Sequence, residues 1–142
     1  MNPTPWHFWP IVTIAVVWHL IGVLDYTAVQ YDFQPWYNIM GDRQQAFVAT
    51  MPDWIDGAWA VSAWVGLLGA LLLAVRAGFT ALVLSVSMIA TVIVAVWLTV
   101  GADPSVLSVA GWWAIAGIWI AALFTVLLWL YARDCHQHGV ID

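Results

Sequence analysis

The sequence predicts an all-α protein: a four-transmembrane-helix bundle in one integral membrane domain, residues 1–142. Composition is the first observation that predicts it. Apolar residues make up 64% of the chain, charged residues 8%, and mean hydropathy is +0.90. A soluble domain holds about 45–50% apolar and about 25% charged residues. Length is the second. Four apolar runs, 9–26, 56–75, 79–100 and 110–132, reach the roughly 18 residues needed to cross a hydrocarbon core. The third is physical: lipid offers no partner to backbone N–H and C=O groups, so these runs must satisfy themselves as helices.

The first run, WPIVTIAVVWHLIGVLDY, is expected to remain in the mature protein. MNPTPWHFWP ahead of it has no Lys or Arg, and no small-residue cleavage site follows. The link 27–55 is the longest polar segment and forms an outer loop between the first two spans. Within it, 42–51 reads as a short helix that Asp42 caps and Pro52 stops. The link 76–78 is so short that the second and third spans form a tight antiparallel hairpin. The link 101–109 holds Asp103 and Pro104.

The charges orient the bundle. There is no Lys and no Glu, and the three Arg are Arg43, Arg76 and Arg133. Arg76 and Arg133 share one side, which the positive-inside rule makes cytoplasmic, so both termini are expected inside. Asp25, Asp32, Asp42, Asp53, Asp56 and Asp103 then form an acidic outer face against Arg43 alone. The formal charge of −5 belongs to that face, while the inner surface, with Asp134 and Asp142, sums to zero. Such a face attracts cations or a basic partner. No basic surface exists to neutralise phosphates, so nucleic acid is not an expected partner. Trp6, Trp9 and Trp129 suit the inner interface, and Trp36, Trp54, Trp59, Trp97, Trp112 and Trp113 the outer one. Trp18, Trp64 and Trp119 fall deeper.

Small residues recur at four-residue spacing in the second span: Ala58, Ser62, Gly66, Ala70 and Ala74, with Gly69 beside them. Ser87, Thr91, Ala95 and Thr99 repeat the spacing in the third span, and Ala114, Gly117, Ala121 and Thr125 nearly so in the fourth. Such stripes let lipid-embedded helices approach closely. They serve either the internal bundle or an interface with another protein.

His19 is the most chemically loaded position, because ionisable residues inside a bilayer mark functional sites by default. A neutral imidazole there, with Trp18 beside it, could ligate haem iron or the magnesium of a chlorophyll-type pigment. The competing reading is a histidine hydrogen-bonded to a neighbouring helix. Asp25 closes the first span and could approach Asp53 or Asp56 to bind a cation, or these could be solvated residues, with Asp53 a helix cap. Cys135-His136-Gln137-His138 has metal-ligand composition, but it lacks a second Cys and reads as a flexible tail. No phosphate loop, dinucleotide fingerprint, haem-attachment or zinc-protease motif occurs, and enzyme activity is not expected.

Pro5-Trp6-His7, the run Trp18-His19-Leu20-Ile21-Gly22-Val23-Leu24-Asp25-Tyr26, and the second span ending Leu71-Leu72-Leu73-Ala74-Val75-Arg76 resemble an uncharacterised family of small four-helix membrane proteins of Proteobacteria. Its members are often labelled "sugar transporter". The family commonly has Asn where this chain has His19. The resemblance implies a multi-pass protein of the bacterial inner membrane.

Three functions follow as expectations. The first is a non-catalytic accessory subunit of a larger respiratory or photosynthetic complex, in contact with lipid and with other subunits or copies of itself. The second is a small-solute, sugar-like transporter acting as a homo-oligomer. The third is pigment or haem binding through His19. The orientation is tested by reporter fusions. Fluorescent protein fused after Arg76 or at the C-terminus should fluoresce, and alkaline phosphatase inserted after Ile39 should be active. The reverse pattern overturns the orientation.

Overall fold

The computed structural model describes residues 3–141. Its elements are α1 (Phe8–Gln30), α2 (Gln34–Tyr37), α3 (Asp42–Ala49), α4 (Asp53–Ala74), α5 (Thr80–Val96), α6 (Val106–Ala110) and α7 (Trp112–Gln137). A π-helical turn, Trp97–Gly101, carries α5 onward. No strand occurs among the described residues. Among the described residues, four helices are long and apolar enough to cross a membrane: α1, α4, α5 with its π turn, and α7.

The spans differ from expectation at their ends, for local reasons. α1 runs a turn past residue 26, because Tyr31 N–H still reaches Thr27 O at 3.1 Å. It stops where Asp32 turns left-handed, at φ 48°, and Phe33 N–H bonds back to Ala28 O. Asp25 therefore lies within the helix rather than closing it. α4 begins at Asp53, so Asp53 is not the cap: Pro52, extended at ψ 139°, fills that position. Its carbonyl accepts from Ile55 and Asp56 N–H. Asp53 and Asp56 occupy the first turn, where a carboxylate complements the helix dipole. Asp42 is likewise not a cap. Gly41 precedes α3 as its N-cap, and its N–H donates to Gln44 Oε1 at 3.2 Å. α3 ends at Ala49, ahead of Pro52.

The C-terminal tract corrects the expectation of a flexible tail. α7 continues to Gln137, with Cys135 buried at 3% exposure. Gly139 at φ 64° then turns the chain back, and Val140 N–H bonds to Cys135 O at 2.8 Å. Ile141 is buried beside Phe8, Leu73, Leu84, Leu128 and Ala132. Arg76 Nε donates to Val140 O at 2.8 Å, which ties the α4–α5 turn to the end of the chain. Both ends of the described chain and the α4–α5 turn thus form one sealed end of the bundle. Asp142, counted above in the inner charge, lies outside the described residues.

α1 packs on α4, α4 on α5 and α5 on α7. The fourth seam, between α7 and α1, is bridged by long side chains rather than by close backbones. His7 Nδ1 and Tyr131 OH lie 3.0 Å apart, and the rings of Trp18 and Phe124 lie 4.8 Å apart. At the opposite, loop-bearing end, α3 meets α6.

Small residues decide which seams close. Gly66 and Ala70 are buried as the four-residue stripe suggests, whereas Ala58 and Ser62 are half-buried. The buried row on α4 is Ala63, Gly66, Ala70 and Leu73, joined by Gly69, because a strict four-residue repeat drifts off one face of a 3.6-residue helix. Leu84 of α5 fills the space a side chain at Gly69 would take: a Cβ there would meet Leu84 Cδ2 at 2.5 Å. On α7 the packed residues are Ala122, Thr125, Leu128 and Ala132. Gly117 is exposed, with nothing within 4 Å of where its Cβ would stand, and Ala121 is half-buried. Of the α7 stripe, which the sequence left open between the bundle and an interface, Thr125 is buried, Ala114 and Ala121 are half-buried and Gly117 is exposed.

Gly69→Ala should lower stability by about 1–3 kcal/mol, the usual cost of overpacking. Gly22→Ala meets open space and should be neutral or stabilising by up to about 1 kcal/mol. Thermal unfolding in detergent measures both. Equal effects would contradict the α4–α5 contact.

Candidate functional site

The unclosed α1–α7 seam widens toward the loop-bearing end into a cleft of about 480 Å³, joined to a smaller chamber of about 290 Å³. Asp25, Trp59, Ser62, Thr91 and Ala121 line both. α3 roofs the larger part with Phe47 and Val48, and α6 adds Val106 and Val109. Gly117 opens on it, so the α7 stripe shapes the cleft wall.

His19 lies at the bottom of the smaller chamber, 4% exposed. Its Nδ1 is 2.9 Å from Ala15 O. A carbonyl only accepts, so Nδ1 carries the proton and Nε2 the lone pair. Nε2 is buried and has no hydrogen-bond partner among the described residues. An unsatisfied buried acceptor costs about 1–3 kcal/mol. The ring edge nests against Gly66, whose Cβ would fall 2.2 Å from His19 Cδ2, 2.6 Å from Nε2 and 2.7 Å from Ser87 Oγ. Phe124 of α7 flanks the ring, with centroids 6.2 Å apart.

A chain of hydroxyls crosses from α4 to α5 beside the imidazole. Thr91 Oγ1 donates to Ser87 O at 2.8 Å, and Ser87 Oγ donates to Ser62 O at 2.8 Å. With the Thr91 proton committed, Ser62 Oγ is the donor in the 2.8 Å contact with Thr91 Oγ1. Thr125 Oγ1 donates to Ala122 O at 2.9 Å. All four hydroxyl protons are spent within the protein. Of the four, Ser62, Thr91 and Thr125 line the cavity, and what they offer it is lone pairs.

At the mouth, Trp36 Nε1 donates to Asp25 Oδ1 at 2.9 Å, tying α2 to α1. Tyr26 OH donates to Asp56 Oδ2 at 3.4 Å, and Gln30 Nε2 donates to Asp56 Oδ1. Asp25 and Asp56 therefore take separate partners and form no shared carboxylate pair through them. Asp32, Asp53 and Asp56 border a separate polar depression with Gln30 and Tyr37. Asp42 and Asp103 are exposed. Among the described residues no group of three or more His, Cys, Asp or Glu is placed to hold a metal ion.

The structure also tests the pigment and haem reading of His19 and Trp18. Trp18 lies against Phe124, the two rings tilted by 38°, and lines the chamber. An axial bond from Nε2 would have to run beside the α4 backbone at Gly66, where no flat macrocycle fits between α1 and α4. His19 and Trp18 as placed do not suit that group.

Trp59, Phe124, Ser62, Thr91 and Thr125 complete the site. Ser62, Thr91 and Thr125 stood out in the sequence as small residues, but nothing marked them as polar floor. Trp59 was expected at the outer interface, and nothing in the local sequence singles out Phe124. The deep Trp119 finds its reason in a bond from Nε1 to Thr99 Oγ1 at 3.0 Å. Trp64 is 52% exposed on the outer face of α4.

No family model, curated protein or solved structure matches the chain.

Proposed function

We propose that the protein is a non-catalytic accessory subunit of a larger complex, respiratory or photosynthetic, in the bacterial inner membrane. Both termini then face the cytoplasm and the acidic loop end faces out. The observation that carries this reading is the unequal closure of the bundle. Three seams are joined by backbones in close contact, while the α1–α7 seam is bridged by side chains and left partly open. A helix of a neighbouring subunit laid along that seam would bury Ile21 and Ile120, now 54% and 59% exposed. The six loop-end Asp residues against Arg43 favour a partner with basic extramembrane segments.

A second reading, a small-solute transporter acting as a homo-oligomer, is favoured by the shape of the cleft. It lies toward the loop end, roofed by α3 and α6, while the opposite end of the bundle is closed by Phe8, Ile141 and the Arg76–Val140 bond. The "sugar transporter" label of the family that the first half of the chain resembles agrees with it.

Site-specific photocrosslinking in the native membrane separates these readings. Photoreactive residues at Ile21 and Ile120, flanking the seam, should give discrete protein adducts with a partner other than this chain. Positions Leu82 and Val86 on the outer face of α5 should give none. Adducts only at about twice the 15.7 kDa chain mass favour the homo-oligomer. Lipid adducts alone at all positions overturn the subunit reading.

A further inference from the structure

One carboxylate lines the cleft with no charge to balance it. Among the described residues, Asp25 is the only Asp, Glu, Lys or Arg bordering either part of the cavity. It is half-buried and sits within α1, about 8 Å along the axis from the helix end at Gln30. Its Oδ1 accepts from Trp36 Nε1. Its Oδ2 has no hydrogen-bond partner, and Asp25 makes no ion pair, among the described residues. Oδ2 is also accessible, because His19 Nε2 is the only buried side-chain polar atom among those residues that lacks a partner. Carboxylates within membrane helices pair with an opposite charge or mark the path of a substrate or ion. The indole N–H of Trp36 is neutral and balances no charge.

The walls select the kind of cation. A hard metal ion takes six or more oxygen ligands, and among the described residues no group of three His, Cys, Asp or Glu is placed to hold one. The lining is aromatic and apolar instead. Trp59 borders both parts of the cavity, and Trp18 and Trp36 border the smaller chamber with Asp25. An indole ring attracts a cation over its face, most strongly where water is excluded. Met40, Met51 and Phe47 line the larger part, and thioethers adapt to varied apolar shapes. The two volumes, about 480 and about 290 Å³, suit a small organic molecule. The lone pairs of Ser62, Thr91 and Thr125 favour positive charge as well. The acidic loop end raises the local concentration of cations at the mouth. We propose that the cleft binds an amphipathic organic cation, an amine or quaternary ammonium group on an apolar body. The cationic head pairs with Asp25 Oδ2 among the indoles, and the body lies against Phe47, the two methionines and the α7 wall. This site does not depend on whether the chain works within a complex.

The test uses the full chain purified in mild non-ionic detergent and a matched pair of probes. The two are para-octylphenyl-trimethylammonium and para-tert-butyl-octylbenzene, which share a shape and differ in charge. Binding of the tritiated probes is measured by scintillation proximity across a concentration series. The cation should bind at least about tenfold more tightly than its neutral isostere, as a cation–π contact in a partly dry site provides. Asp25→Asn keeps an oxygen for Trp36 Nε1, so it should fold, and it should bring the two probes within about twofold of each other. Asp32 is exposed and borders neither part of the cleft, and Asn suits its left-handed backbone, so Asp32→Asn should keep the full preference. Gly117→Leu places bulk where a side chain meets nothing within 4 Å, so it should fold normally and weaken cation binding at least about tenfold. The proposal is overturned by equal binding of the two probes, by absence of cation binding, or by cation binding that Gly117→Leu leaves unchanged. A preference that survives Asp25→Asn, or that Asp32→Asn abolishes equally, also overturns it, since the attraction then belongs to the acidic surface at large.

Discussion

Where α1 crosses α4, the imidazole of His19 takes the space that any side chain at Gly66 would fill. Lipid gives helices little hydrophobic reason to associate, so close packing and interhelical hydrogen bonds must hold them. Here both act within one turn of helix. Gly66 admits the ring from α1 and also lies against Ser87 of α5. Ser87 in turn bonds to the α4 backbone at Ser62. Three of the four spans therefore meet around one glycine. The α4–α5 contact continues at Gly69 and Leu84, and Arg76 fastens their turn to the end of α7.

That arrangement leaves α7 as the outlier. It packs on α5 and is joined to α1 by Phe124, Tyr131 and the core around Phe8. Long aromatic side chains keep the α1 and α7 backbones apart, and the gap becomes the cleft. α3, α6 and Trp36 on Asp25 cover its loop end. One construction thus explains both a tight core and an open seam. The seam is the feature that the proposed partner would use.

Much of the fold was legible in the sequence, because hydropathy and length act locally. The four spans, the hairpin at Arg76 and the short loop helix near Asp42 all appear close to their expected places. The ends moved where turn chemistry outranked hydropathy: the left-handed Asp32, the extended Pro52, and Gly139 folding Ile141 under the bundle. The site was legible only in part. His19 stands out as an ionisable group in an apolar run, and Gly66 as a member of a stripe. That the two occupy the same space is a long-range fact with no sequence signal. The α7 stripe illustrates the converse: Ala114, Gly117 and Ala121 share the spacing of a packing face but line a cleft, since spacing alone does not say what a face meets. The acidic residues were visible as a set, yet their pairing with Trp36, Tyr26 and Gln30 depends on the loop's path.

The account stands or falls on His19 occupying the notch at Gly66, and a double-mutant cycle in thermal unfolding measures that directly. In the chain with His19, Gly66→Ala must displace the ring and should destabilise. In a His19→Ala background the clash with the ring is gone and only the 2.7 Å approach to Ser87 Oγ remains, so the added methyl should cost less. A coupling of at least about 1 kcal/mol between the two changes is the predicted result, as for residues in direct contact. Additivity within about 0.3 kcal/mol would contradict the contact and the cleft geometry built on it.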